Sequence, residues 1–78
     1  MVRMNLEKLS SHVSYQVRDR RLRRDMSLTQ LGMKIGTAPT VVWQWERGKH
    51  LPGALYLCRL ADVFGCTVDE LLGRTDDD

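Results

Sequence analysis

Thr40, Trp43, Gln44 and Arg47 are spaced so that, at about 100° per residue, all four stand on one side of a helix. They offer a hydroxyl, an indole, a carboxamide and a guanidinium: donors, an acceptor and an aromatic, with no nucleophile paired to a base. That is equipment for holding another molecule's polar edges. No Ser/His, Cys/His or paired-carboxylate arrangement falls on a plausible pocket, and a chain of 78 residues has little room for one. Catalysis is therefore not expected. Cys58 and Cys66 form no CxxC and neighbour no histidine cluster, so no metal site is expected. Both read as reduced, buried small hydrophobes. No cofactor motif and no small-molecule ligand is evident.

The presented face requires a helix anchored by its other side. Ala38, Val41, Val42 and Trp45 supply that side at i, i+3, i+4 and i+7, and Trp45 is assigned to the core. Pro39 suits the first turn, which leaves Ala38 as a poor N-cap, so this helix must depend on packing. Just before it, Leu28, Leu31, Gly32 and Ile35 repeat the spacing on a first helix, and Gly36 closes it in the left-handed region. Ser27 and Gln30 make a capping box, with Met26 and Leu31 as a hydrophobic staple. Gly32 costs roughly 1 kcal/mol against alanine in a helix interior, which predicts that the second helix crosses there. Two short helices joined by a tight turn make a helix-turn-helix spacing.

Composition bounds the rest. With 42% hydrophobic and 28% charged residues, the chain reads as one ordinary soluble domain with a single small core. It contains no membrane-span run and no signal-peptide pattern, so a cytoplasmic location is expected. The net charge of +2 is unevenly spread: residues 1–50 carry ten Lys/Arg against four Asp/Glu, and residues 51–78 carry two against six. A basic half around a presented helix fits a polyanionic partner.

Residues 1–11 admit two readings. Leu6, Leu9, Val13 and Val17 fall on one stripe of a helix beginning near Asn5; alternatively Ser11 caps a helix running to about Asp25, behind a loose arm carrying Arg3 and Lys8. Farther along, Arg20, Arg21 and Arg24 lie on the same side as Val13 and Val17. Inward-leaning arginines need partners, and Glu46 is the obvious one, predicting an Arg21–Glu46 ion pair. Tyr15, Leu22 and Met26 form a second partial stripe, facing the arm or a partner subunit. Beyond Gly48 and the loop through Pro52, Gly53 caps a helix whose core face is Ala54, Leu57, Leu60, Ala61 and Phe64. Gly65 closes it. Thr67 and Glu70 make a second capping box, with Cys66 and Leu71 as its staple, for a last helix of about Val68 to Leu72. Residues 74–78 read as an acidic flexible tail behind a domain of residues 12–73.

Residues from about Val13 to Gly73 resemble the phage-repressor-like (XRE, or Cro/repressor-type) helix-turn-helix family. The resemblance rests on Arg21, S-L-T-Q-L-G-M-K-I-G, V-V-W-Q-W-E-R-G-K with Pro52, and L-C-R-L-A-D-V-F-G-C-T-V-D-E-L-L-G. It covers about four fifths of the chain without a gap. It implies an all-α, five-helix, lambda-repressor-like domain that binds double-stranded DNA sequence-specifically. It also implies a homodimer on a pseudo-palindromic operator, usually acting as a transcriptional repressor. The second motif helix, about Pro39 to Arg47, would enter the major groove, with Pro39, Thr40, Trp43 and Gln44 touching bases or adjacent phosphates. Gln44 suits a bidentate pair with adenine, and Thr40 or Trp43 a thymine methyl. Trp43 either packs on sugar or methyl groups or folds back on a neighbour. Phosphates fall to Ser27 and the free amides of the first motif helix, beginning at Leu28, and to Arg47, Lys49 and His50.

Three positions depart from the family pattern. Leu28 stands where many members place a phosphate-binding glutamine, Arg20 where leucine is common, and Ala38 where serine or threonine caps. The dimer contact is expected from the last helix and the loop before the fourth. The rival function class is a protein-interaction module of the same fold, with an antirepressor or a toxin as partner.

Overall fold

A computed structural model describes residues 5–74, and among them the chain forms α1 (Leu6–Arg23), α2 (Leu28–Ile35), α3 (Pro39–Glu46), α4 (Ala54–Phe64) and α5 (Val68–Leu72). Of the two readings of the amino terminus, the helix from Asn5 is the one adopted. The Asn5 side chain accepts the Lys8 amide at 2.8 Å, which fixes the start well before Ser11. Glu7 in the first turn and Arg20, Arg21 and Arg23 in the last complement the helix dipole. Leu9 packs against the core while Leu6 is 72% exposed, so the apolar stripe engages only from its second member. α1 ends earlier than Asp25, because Asp25 takes φ 53° and the Met26 amide turns back to the Arg21 carbonyl at 3.2 Å.

α2 carries the full Ser27–Gln30 capping box and ends at Gly36 with φ 81°. Gly32 is buried for a reason slightly different from the expected one. A Cβ there would stand 2.6 Å from the Thr37 carbonyl oxygen and 3.5 Å from atoms of Ala38 and Pro39. The close neighbour is the turn itself, which folds over α2 before α3 begins. The Gly32 carbonyl fastens that turn by accepting from the amides of Gly36 and Thr37 at 2.8 and 2.9 Å. Gly32→Ala should therefore cost about 1–2 kcal/mol, the collision outweighing the alanine helix preference. A urea midpoint equal to or above that of the unmodified chain would show that the turn yields instead.

α3 starts at Pro39 behind an Ala38 that makes no side-chain cap, and is held by Val42 and Trp45, both buried. Its inner face is narrower than the sequence spacing suggests: Val41 is half-buried and Ala38 exposed. The same holds on α4, where Leu60, Ala61 and Phe64 are buried, Leu57 is half-buried and Ala54, the first helical residue, is exposed. These side chains join Val13, Val17, Leu31, Ile35 and Leu71 in one core. Trp45 meets Tyr56 with ring centroids 5.5 Å apart.

The cysteines correct the expectation of burial. Cys58 points outward from α4, and Cys66 is half-buried, its thiol pKa raised by burial; both are free. α5 has the Thr67–Glu70 capping box, whose backbone and hydroxyl donors hold the Glu70 carboxyl below its ordinary range. Arg74 belongs to this helix end rather than to a tail, its amide reaching the Asp69 carbonyl at 2.7 Å. Arg3 and residues 75–78 lie outside the described residues. Of the Tyr15–Leu22–Met26 stripe, Met26 packs on the core, and Tyr15 and Leu22 remain exposed. No helix among the described residues is long and apolar enough to cross a membrane.

Several arginines act inside the fold. Arg24 donates to the Phe64 carbonyl at 2.6 Å and Arg59 to the Ile35 carbonyl at 3.0 Å, the last residues of α4 and α2. Helix-end carbonyls have no intrahelical partner, and a long cationic donor satisfies them.

Candidate nucleic-acid interface

The site is built outward from Glu46, at the carboxyl end of α3. Its carboxylate takes both arms of the Arg21 guanidinium, with Nε to Oε2 at 2.6 Å and Nη2 to Oε1 at 3.0 Å. The third arm, Nη1, donates to the Met26 carbonyl at 2.8 Å. Only 12% of the Arg21 side chain and 5% of the Glu46 side chain are exposed. The Arg21 pKa is raised, chiefly by its hydrogen bond to Glu46. Charge-assisted bidentate pairs of this kind fix orientation as well as distance. Arg21 thus ties α1 simultaneously to α3 and to the strap leading into α2.

With Val42, Trp45 and Glu46 turned inward, α3 presents Thr40, Trp43, Gln44 and Arg47, the face the spacing predicts. Thr40, Trp43 and Arg47 are exposed; Gln44 is half-buried. Pro39, at the head of the helix, is also half-buried. Trp43, 40% exposed, does not stand alone. The Arg47 guanidinium carbon lies 5.3 Å and the Lys49 ammonium 5.7 Å from the centre of its ring.

The loop that carries Lys49 is shaped by one glycine. Gly48 takes φ 71°, its amide reaches the Trp45 carbonyl at 3.1 Å, and the Lys49 amide reaches the Gln44 carbonyl at 2.9 Å. This paired closure turns the chain back along α3. The Ser10 hydroxyl of α1 donates to the Gly48 carbonyl at 3.1 Å and supports the loop from behind. His50 follows, exposed.

Beside α3 opens a cleft lined by Arg18, Arg21, Leu28, Trp43, Glu46 and Arg47. Leu28 packs its side chain against the core, so it can offer a phosphate only its amide. The Ser27 box consumes the amides of Ser27 and Gln30, leaving those of Leu28 and Thr29 directed out of the helix start. Ser27, Leu28, Arg47, Lys49 and His50 are the five residues assigned to phosphate. Ser27 and Leu28 form one group at the start of α2, and the other three cluster at the end of α3. Arg18 was not singled out from sequence. It stands one turn before Arg21 on α1 and is exposed over the same cleft. Its i, i+3 relation to an arginine already assigned a partner on α3 was the available signal. Among the described residues no group of three or more metal-ligating side chains converges.

The helix-turn-helix family model HTH_3 matches residues 17–71. Among solved structures, the P22 c2 repressor in complex with a synthetic operator is similar over 81% of this chain and 96% of its own, with 27% identity and a TM-score of 0.77. Hydroxypropylphosphonic acid epoxidase from S. wedmorenis is similar over 83% of this chain at 27% identity and a TM-score of 0.75, but this covers only 35% of the enzyme chain. Its Fe(II) complex with substrate gives 88%, 40% of the enzyme chain, 27% identity and 0.74. No curated protein sequence matches. The family match runs from within α1 to α5 and contains the whole motif, and the repressor match spans nearly all of that chain. The chain belongs to the phage-repressor-like helix-turn-helix family of DNA-binding regulators.

Proposed function

We propose that the chain is a sequence-specific regulator of transcription, a small dimeric repressor that docks α3 in the major groove of a pseudo-palindromic operator. The observation that carries this reading is the division of α3 into a locked inner face and a free outer one. Pro39, Thr40 and Gln44 meet base edges, Gln44 suiting a bidentate pair with adenine. Arg47, Lys49, His50 and the α2 amides at Leu28, with Ser27, meet the flanking phosphates. The repressor relative supports the reading, since that protein was captured on a synthetic operator. The chain acts by binding, without catalysis or cofactor, and works in the cytoplasm where duplex DNA is accessible.

Selection from random duplexes, followed by titration at several salt concentrations, tests the proposal. A palindrome with half-sites roughly 10 base pairs apart is expected. Gln44→Ala should lose about 1–2 kcal/mol of discrimination at one or two positions per half-site and keep the salt slope. Sedimentation at micromolar protein should give a dimer on operator DNA; a monomer with and without DNA would count against the symmetric mode. A steep salt slope with no selected sequence would leave only electrostatic attraction.

The likeness to a portion of an enzyme chain favours one second reading. The same fold there is part of a larger protein, and this chain would then be a protein-interaction module whose α3 face meets another polypeptide.

A further inference from the structure

Trp43 occupies the centre of the proposed reading face, yet its ring is already engaged by two cations of the same chain. We infer that Trp43 is a positioning residue: its ring gathers Arg47 and Lys49 into one preformed phosphate clamp, and it does not itself read a base. The inference rests on the DNA-binding reading above.

The local geometry explains how two cations come to share one ring. Arg47 follows Trp43 by four residues, so an ordinary helix stacks their side chains. Lys49 follows by six, and in a continued helix it would stand about 240° around and about 9 Å farther along the axis. The left-handed Gly48 and the Lys49–Gln44 backbone bond reverse the chain and return Lys49 to the ring. Two like charges, 5.3 and 5.7 Å from one ring centre, repel. The negative face of an indole offsets that repulsion, and tryptophan does so better than phenylalanine or tyrosine. Free lysine and arginine side chains lose rotamer freedom when they close on a phosphate. A ring that holds both beforehand removes part of that loss from the binding step.

A ring in this role leaves sequence preference alone. A base-reading Trp43 would alter it. The first arm of the test uses no DNA. In the NMR spectrum of the free, full chain, the side-chain protons of Arg47 and Lys49 next to their charged groups should be shifted upfield by the ring, and Trp43→Leu should return them to ordinary positions. Ordinary shifts in the unmodified chain would overturn the proposal. The second arm titrates the selected duplex and an unrelated one. Trp43→Leu should weaken both by about ten-fold, because binding must then remove the rotamer freedom of two long side chains, with the selected sequence unchanged, and Trp43→Phe should recover most of that loss. In an Arg47→Ala/Lys49→Ala background, Trp43→Leu should cost nothing further. A changed base preference in Trp43→Leu, or an undiminished loss in that background, would make Trp43 a reader and overturn the proposal. Failure of the unmodified chain to bind any duplex would remove the DNA reading and the clamp's role with it, while the ring shifts would still report whether the cations are gathered.

Discussion

Glu46→Ala should lower the stability of the domain by about 3 kcal/mol, a fall in Tm on the order of 15 °C for a chain of this size. The cost arises because Arg21, its side chain only 12% exposed, would lose its carboxylate and keep a single carbonyl contact. A domain this small holds roughly 4–12 kcal/mol in all, so the variant would lose a large share of the total. The paired replacement Arg21→Met with Glu46→Leu should recover most of the loss, since an apolar pair of similar volume avoids the unpaired charge. Operator affinity should recover less than stability does, because the pair also sets the angle at which α3 leaves the body. Calorimetry beside a binding titration at low temperature separates the two effects. A Tm change of only a few degrees in Glu46→Ala would mean that water screens the pair and that α3 is oriented by packing alone.

Leu31→Ala should cost about 3 kcal/mol through a different route. Leu31 is fully buried on the inner face of α2, and its loss leaves a cavity next to the close Gly32–Thr37 approach, which limits collapse of the backbone. Here the α3 face is untouched. The folded fraction should bind the selected duplex normally, and the urea midpoint alone should fall. If the folded protein instead binds ten-fold more weakly, the motif angle depends on Leu31 volume and the turn is less rigid than its two Gly32 hydrogen bonds imply.

Much of this arrangement was legible in the sequence because it is local. Ser27 with Gln30 and Thr67 with Glu70 lie three residues apart, and Gly36 and Gly65 both take left-handed φ at helix ends. The Arg21–Glu46 pair was also readable, since a cation on an apolar stripe and a lone carboxylate on a short helix leave few alternatives. Features that need three dimensions were not. The true neighbour of Gly32 is a carbonyl of the following turn, and its approach depends on how sharply Gly36 bends the chain. Cys58 was read inward because cysteine usually is, but its neighbours Leu57 and Ala61 define a face on which it does not fall. The start of α1 was ambiguous because Asn5 and Ser11 are both good caps; continuity decided it, with Ser10 reaching across to Gly48. Arg18 gained its place only when α1 was laid beside α3. The engagement of Trp43 by Lys49 required the reversal at Gly48, which periodicity alone cannot supply.

The arginines that satisfy helix-end carbonyls have one more consequence. Arg24 and Arg59 are occupied with the Phe64 and Ile35 carbonyls, and Arg21 with Glu46 and the Met26 carbonyl. Their charges still contribute to the field around the molecule, which draws a polyanion in from a distance. On the proposed reading, attraction and grip are carried by different residues: the whole basic half recruits, while the exposed Arg18, Arg47 and Lys49 beside α3 close on what arrives. Such a molecule can travel along a polyanion in loose association, turning freely, and become oriented only when that one side engages.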